Sequence, residues 1–270
     1  FINILLLNQN DITIFLANKW LDSGVNEGDV LLVHSSIKNL LLTLKKEFSQ
    51  VASPLDVYNS LKLALGSTGT LILPLFNFDF PKVKFFDINK TPSQMGALTE
   101  IGRLDPQSIR TGHPIYSFSV TGAKASEFQD IDNISGYGSD SPFAKIKELG
   151  GKIAIIGLSD QHSMTSYHFV EEQNHVGYRY FKEFIGKYID KNGLESEKTY
   201  KLYVRDLEKG VLTDVNRMMD HLWELNLYKG EKYNDGYGMR TIDFNDFYNA
   251  TEKVIQDGLA IEYLYSLEAN

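Results

Sequence analysis

The sequence predicts an α/β fold: a mixed, largely parallel central sheet covered by helices, with an antiparallel strand insertion around residues 184–207. Three observations carry this. Helical and strand patterns alternate through the first two thirds of the chain. The strand candidates are short unbroken apolar runs, as a sheet covered on both faces requires. Then a stretch rich in Tyr, Ile and Val surrounds Asp190-Lys191-Asn192-Gly193, a hairpin-type turn. All 270 residues read as one domain, with the insertion at about 176–212.

The elements follow in order. Asp11–Leu21 carries Ile12, Phe15, Leu16 and Trp20 at helical spacing, and Ser23-Gly24 ends it. Val30–His34 is a buried strand. Ser53-Pro54 starts a capped helix with Leu55, Tyr58, Leu61 and Leu65 on its apolar stripe. Gly66–Thr70 turns the chain into strand Leu71–Phe76. Ser93–Leu104 reads as helix, Ser117–Thr121 as strand, and Ser141–Leu149 as a helix capped by Ser141 with Pro142 at its first position. After Gly150-Gly151 come strand Lys152–Gly157 and helix Thr165–Asn174. Phe184–Leu207 forms the antiparallel strands, and Asp214–Leu225 and Phe244–Gln256 are the last major helices. The Lys45-Lys46-Glu47 cluster reads as a solvated loop.

Composition narrows the function. Hydrophobic residues make up 43% and charged residues 23%, a globular mixture rather than a disordered one. The absence of cysteine excludes disulfides, a thiol nucleophile and Cys-based metal sites. Apolar runs are far shorter than the ~20 residues of a membrane span, so no membrane partner is expected. With 35 acidic against 27 basic residues the net charge is −8, which disfavours nucleic acid and favours a cationic substrate. The chain begins at Phe1 rather than Met, so the native N-terminus is expected upstream.

Three loops follow predicted strands, where open α/β sheets place ligands. Val33-His34-Ser35-Ser36 offers backbone N–H groups and hydroxyls to a phosphate or oxyanion, although on the local signal alone a turn with a satisfied core histidine is the preferred reading. Arg110-Thr111-Gly112-His113-Pro114, with Ser117 beyond, could meet an anion or be an ordinary turn. The third loop leads into a helix where Glu171 and Glu172 stand three and four residues after His168. A carboxylate on that face can raise and orient an imidazole, as a general base requires; a surface ion pair has the same pattern.

Other motifs fail. Gly157-Leu158-Ser159-Asp160-Gln161 lacks the last glycine of a nucleophile elbow. Gly66–Thr70 lacks the Lys-Ser/Thr of a phosphate loop. His162, His168 and His175 are too irregularly spaced for one metal, so no metal is expected.

In combination these blocks resemble the aminoglycoside 3-N-acetyltransferase family, a coenzyme A-dependent group distinct from the GNAT enzymes. Val33-His34-Ser35-Ser36 resembles its VHSS block, Gly69–Pro74 its GTLxxP strand and Met95–Glu100 its MGxLxE helix. His113–Ser117 resembles the HPxxS loop. Ser141-Pro142-Phe143 with Leu149–Lys152 resembles SPxxxLxxxGGK, and Thr165–Glu171 the TxxHxxE segment. A family-like stretch recurs at Gly236–Asp243.

The resemblance implies acyl transfer from acetyl-CoA or another short acyl-CoA to a primary amine of an amino sugar. It assigns His168 as general base, oriented by Glu171. It also implies that His34, Ser35, Ser36 and Ile37, with His113, Ser117 and Thr165, hold the coenzyme. Asp79 and Glu172, with Asp160, are expected at an acidic approach for the amine. The segment Glu183–Tyr203 departs from the acidic character that would clasp a polycation. A nucleotide-linked or surface-glycan amino sugar therefore stands beside an aminoglycoside as expected acceptor. A cytoplasmic monomer or homodimer is expected. The competing readings are a catalytically inactive CoA-binding relative and a serine hydrolase built on Ser159 or Ser35.

Overall fold

A computed structural model describes residues 9–48 and 51–268. The first half of the chain forms α1 (Gln9–Asp22), β1 (Val30–Ser35), α2 (Lys38–Phe48), α3 (Pro54–Leu65), β2 (Thr70–Pro74), α4 (Phe80–Val83), β3 (Phe85–Asp87), α5 (Ala97–Leu104), β4 (Ile109–Arg110) and β5 (Phe118–Gly122). Then come α6 (Pro142–Glu148), β6 (Lys152–Ile156), α7 (Ser166–Gln173), β7 (Arg179–Ile189), β8 (Glu195–Arg205), β9 (Val211–Thr213), α8 (Asn216–Glu224), β10 (Lys229–Gly230), β11 (Met239–Asp243), α9 (Phe244–Gln256), α10 (Ala260–Tyr263) and β12 (Tyr265–Leu267).

Seven strands make the main sheet in the order β10-β11-β6-β1-β2-β5-β4. Its centre, β6-β1-β2, is parallel, and each flank joins antiparallel. Because β10 and β4 reverse direction again, five of the seven strands point the same way. Strand β1 alternates between two apolar clusters: Leu31 and Val33 pack with α1 and α3, whereas Val30 and Leu32 face Phe118, Phe143 and Phe244. The predicted insertion is a long β7–β8 hairpin, edged by β3 in a separate three-stranded sheet. Its turn is held by Asp190 Oδ1, which accepts from the N–H groups of Asn192 and Leu194, both at 2.9 Å. Among the described residues, no helix is long and apolar enough to cross a membrane.

Local chemistry explains the boundaries. Ser53 and Asp56 form a reciprocal capping box at α3, with Pro54 in the first turn. The buried stripe of α3 is Val57, Tyr58, Leu61, Ala64 and Leu65; Leu55 lies two residues, about 200° of helix, before Val57 and is exposed. Helix α5 begins at Ala97 rather than Ser93 because Gly96 adopts φ 104°, while Glu100 Oε1 accepts from the Ser93 N–H at 2.6 Å and pins the lead-in. The expected loop at Lys45-Lys46-Glu47 is instead the exposed end of α2, which Leu40 and Leu44 anchor one turn apart.

Candidate active site

The carboxyl ends of β1, β2 and β6 open into a cavity of about 200 Å³ lined by His34, Ser35, Pro74, Phe76, Leu158 and Thr165, among others. Ser36 continues β1 by donating its N–H to Ile156 O at 2.8 Å. At the end of β6, Gly157 takes φ 64°, and a Cβ there would sit 2.6 Å from Ser36 O. Only glycine allows the two loops to close on each other this tightly. His34 is buried and its Nε2 has no partner among the described residues; burial pushes the imidazole down to about 4.

Thr165 stands at the N-cap of α7 without capping it, so its hydroxyl is not committed to the helix. One turn on, His168 keeps 20% of its side chain exposed, while Glu171 keeps only 1%. His168 Nδ1 lies 2.8 Å from Glu171 Oε2. Tyr178 OH donates to Glu171 Oε1 at 3.0 Å, and Arg179 Nε is 2.7 Å from Oε2. The Tyr137 ring meets His168 edge-on at 5.4 Å. A carboxylate acceptor favours the proton on Nδ1, leaving Nε2 as the basic atom.

Burial pushes the His168 imidazole below its ordinary value, Arg179 pushes it the same way, and Glu171 only partly opposes them. The expected net rise in basicity is therefore corrected: the carboxylate orients the ring, but its charge is shared with Arg179. Burial alone would push Glu171 up; Arg179 and the His168 contact outweigh it and hold the carboxyl low.

Two further cavities border His168. One, of about 170 Å³, also holds Thr165, Met164 and Val215. The other, of about 410 Å³, runs along the hairpin past Tyr137, Tyr180, Lys182, Phe184 and Arg205. Thr165 is common to the first two cavities, and His168 and Thr213 to the last two. His168 thus stands between the strand-end cavity and the hairpin cavity.

Of the sequence-predicted residues, His34, Ser35, Thr165, His168 and Glu171 come together here. Ser36 and Ile37 lead into α2 beside them, with Ile37 packed on an apolar cluster. His113 and Ser117 are fully buried behind the site instead. His113 Nδ1 accepts from the Ile115 and Tyr116 N–H groups, and burial pushes its imidazole down to about 3. Ser117 Oγ donates to Leu75 O at 3.3 Å and accepts from Arg110 Nε at 3.1 Å. Neither residue lines any of these three cavities, and His113 Nε2, like His34 Nε2, has no partner among the described residues.

Of the three acids expected at the approach, Asp160 and Glu172 are buried and Asp79 is exposed. Asp160 is sealed in the core, accepting from Tyr167 OH, Tyr228 OH and Arg240 Nη2 at 2.7, 2.8 and 2.6 Å. Glu172 is buried and accepts from Ser135 Oγ at 2.7 Å; burial pushes its carboxyl up. Asp79 is exposed and accepts from Gln94 Nε2 at 2.9 Å, next to Phe78 at the strand-end cavity. Ser159 Oγ does meet His162 Nδ1 at 2.9 Å, but both belong to one short 3-10 turn rather than to an elbow. Sequence reasoning missed Tyr178, Arg179 and Arg240. A charged residue inside the otherwise strand-like Met239–Ile242 was the available sign for the last.

Residues 32–256 match the family model described as aminoglycoside 3-N-acetyltransferase. The chain belongs to that family. Aminoglycoside N(3)-acetyltransferase IV of Salmonella sp. is 29% identical over 168 residues, 60% of this chain and 59% of that protein, so the match spans about three fifths of the relative's length. The fold is that of solved family structures. AAC-IIIb in binary complex with CoASH superposes with a TM-score of 0.75 at 18% identity, covering 93% of this chain and 97% of that one. A variant of aminoglycoside acetyltransferase AAC(3)-IVa in complex with a gentamicin gives 0.70 at 22% identity, covering 90% and 88%.

Proposed function

We propose that this protein transfers an acetyl or short acyl group from acyl-CoA to a primary amine of an amino sugar, with His168 as general base. The observation that carries the reading is the position of His168 between two cavities, its Nδ1 held at 2.8 Å by a buried carboxylate and its Nε2 left for a proton. The coenzyme-bound relative and the gentamicin-bound relative support the two substrate classes.

The strand-end cavity suits the acyl donor: it is narrow, has an apolar wall, and contains the unpartnered His34 Nε2 and the Ser35 and Thr165 hydroxyls. The loop around Ser35–Ile37, which precedes α2, would meet the phosphate-bearing part, as helix starts do. Acyl-CoA supplies an activated thioester carbonyl. The chain's own contribution is proton handling and donors. An alkylamine is an ammonium ion at neutral pH, and His168 Nε2 takes its proton so that nitrogen can attack. The C–N bond forms, the C–S bond breaks, and the departing sulfur leaves as the thiol with a proton from the amine nitrogen. Backbone N–H groups after β1 and the Thr165 hydroxyl are the available donors for charge developing on the carbonyl oxygen.

Thiol release from acetyl-CoA against a panel of aminoglycosides and nucleotide-linked amino sugars, for wild type and His168→Ala, tests the reading. Amine-dependent release that the substitution abolishes is the expected result. Release independent of amine, with fluorophosphonate labelling of Ser159 or Ser35, would replace it by a hydrolase. Coenzyme binding without turnover would mark an inactive relative.

A further inference from the structure

The hairpin cavity has a charge opposite to that of the whole molecule. The chain carries −8, yet the charged residues lining this cavity are Arg179, Lys182 and Arg205, with no Asp or Glu among them. Arg179 is committed to Glu171 at 2.7 Å. Lys182 and Arg205 are exposed and, among the described residues, form no ion pair and no side-chain hydrogen bond. Arg205 is the direct cross-strand partner of Arg179, whose charge Glu171 already balances, so Arg205 is left without a counter-charge of its own. Tyr180, Lys182 and Phe184 alternate along β7 on one face of the hairpin, so aromatic rings flank the free ammonium group.

From this we infer that the acceptor is an amine whose non-reacting end carries a phosphate, with Arg205 and Lys182 as the residues that select it. The inference rests on the acyl-transfer reading above and names its substrate class. A polycationic aminoglycoside would meet two uncompensated cations on entering; a sugar phosphate or nucleoside diphosphate-linked amino sugar would neutralise them. The aromatic pair gives the nucleotide-linked form a second contact, by stacking on a base.

The test compares kcat/KM at low salt, with saturating acetyl-CoA, for glucosamine, glucosamine 6-phosphate, a nucleoside diphosphate-linked amino sugar and tobramycin. Both phosphorylated amines should exceed glucosamine by about 10- to 100-fold, the worth of one or two charge-assisted hydrogen bonds. Added salt should erode that advantage. Lys182→Ser/Arg205→Ser should remove it through the acceptor's KM, and Arg205→Glu should raise tobramycin turnover. Tyr180→Ser/Phe184→Ser separates the two sources, lowering only the nucleotide-linked amine if its base stacks there. Tyr180, Lys182 and Arg205 are exposed and Phe184 is half-buried against the core, so a thermal melt of each variant confirms folding. Tobramycin outrunning glucosamine 6-phosphate in wild type would overturn the proposal while leaving acyl transfer standing. So would a rise in the KM of acetyl-CoA, rather than of the amine, in Lys182→Ser/Arg205→Ser. Absence of thiol release with every amine would remove the acyl-transfer reading and this proposal with it.

Discussion

Removing the His168 imidazole and the Glu171 carboxylate, separately and together, tests whether Glu171 acts only through the ring it holds. Glu171 is 1% exposed, and its polar contacts are internal: His168 Nδ1 at 2.8 Å, Tyr178 OH at 3.0 Å and Arg179 Nε at 2.7 Å. It lines none of the cavities that His168 borders. His168→Ala should lower kcat by ~10²–10⁴, the usual loss for a general base. That corresponds to ~3–5.5 kcal/mol of barrier at ~1.36 kcal/mol per decade. Glu171→Gln should cost about one charge-assisted hydrogen bond, ~1.5–3 kcal/mol or roughly 10- to 100-fold. With the ring already gone, the same change has nothing left to orient, so the double variant should match His168→Ala within about threefold. The assay is thiol release at saturating acetyl-CoA and amine, with melts run alongside, because Glu171→Gln leaves Arg179 buried next to an amide. Additive losses would refute this coupling, as would His168→Ala keeping more than about a tenth of wild-type kcat.

The remaining predictions concern pH and stability. A general base works unprotonated, so kcat/KM should rise with pH through the His168 titration, on a limb that burial and Arg179 hold below the ordinary imidazole value. Arg179→Gln should move that limb up and Glu171→Gln should move it down; a shift of both in one direction would contradict the assigned charges. Asp160→Asn strips the counter-charge from Arg240, both side chains being 0% exposed, and should cost ~3–5 kcal/mol in urea denaturation. Replacing both partners with apolar residues should recover part of it, and an unchanged midpoint for the single variant would dismiss the ion pair as a structural element. His34 and His113 are held down to about 4 and about 3, so below pH ~6.5 the unfolded chain binds protons that the native state refuses. Stability should be constant above that pH and fall below it by up to ~1.4 kcal/mol per unit for each ring. His34→Gln should flatten the slope between pH 4 and 6, and an unaltered slope would show that its ring is solvated.

What could be read from the sequence was local. The His168–Glu171 pair is legible because three residues along a helix bring side chains together, and Ser53-Pro54 because capping is a short-range contact. Unbroken apolar runs marked out the parallel centre of the sheet. Arg179 was hidden because β7 delivers it to Glu171 through a turn whose geometry no spacing specifies. Asp160 looked like an exposed acid because its partner Arg240 lies 80 residues away. His113 and Ser117 looked available because polar residues beside a proline resemble a surface turn; their hydrogen bonds to nearby backbone let them be buried instead. In α2, two leucines one turn apart support a helix whose end carries Lys45, Lys46 and Glu47, and the charge dominated the pattern.

Strand β7 begins with the arginine that braces the carboxylate behind His168, and the next residues, Tyr180 and Lys182, form the wall of the hairpin cavity. One ribbon therefore carries both the arginine that tunes the His168 imidazole and the wall of the cavity proposed for the amine. The two traits are inherited together. Recombination that exchanged this hairpin between relatives would hand over a new acceptor preference and, with it, a different setting for the imidazole. A lineage adapting to another amine by remodelling the ribbon should find its pH optimum drifting as well. A graft meant to change substrate alone has to keep Arg179 in register with Glu171 and vary only the residues beyond it.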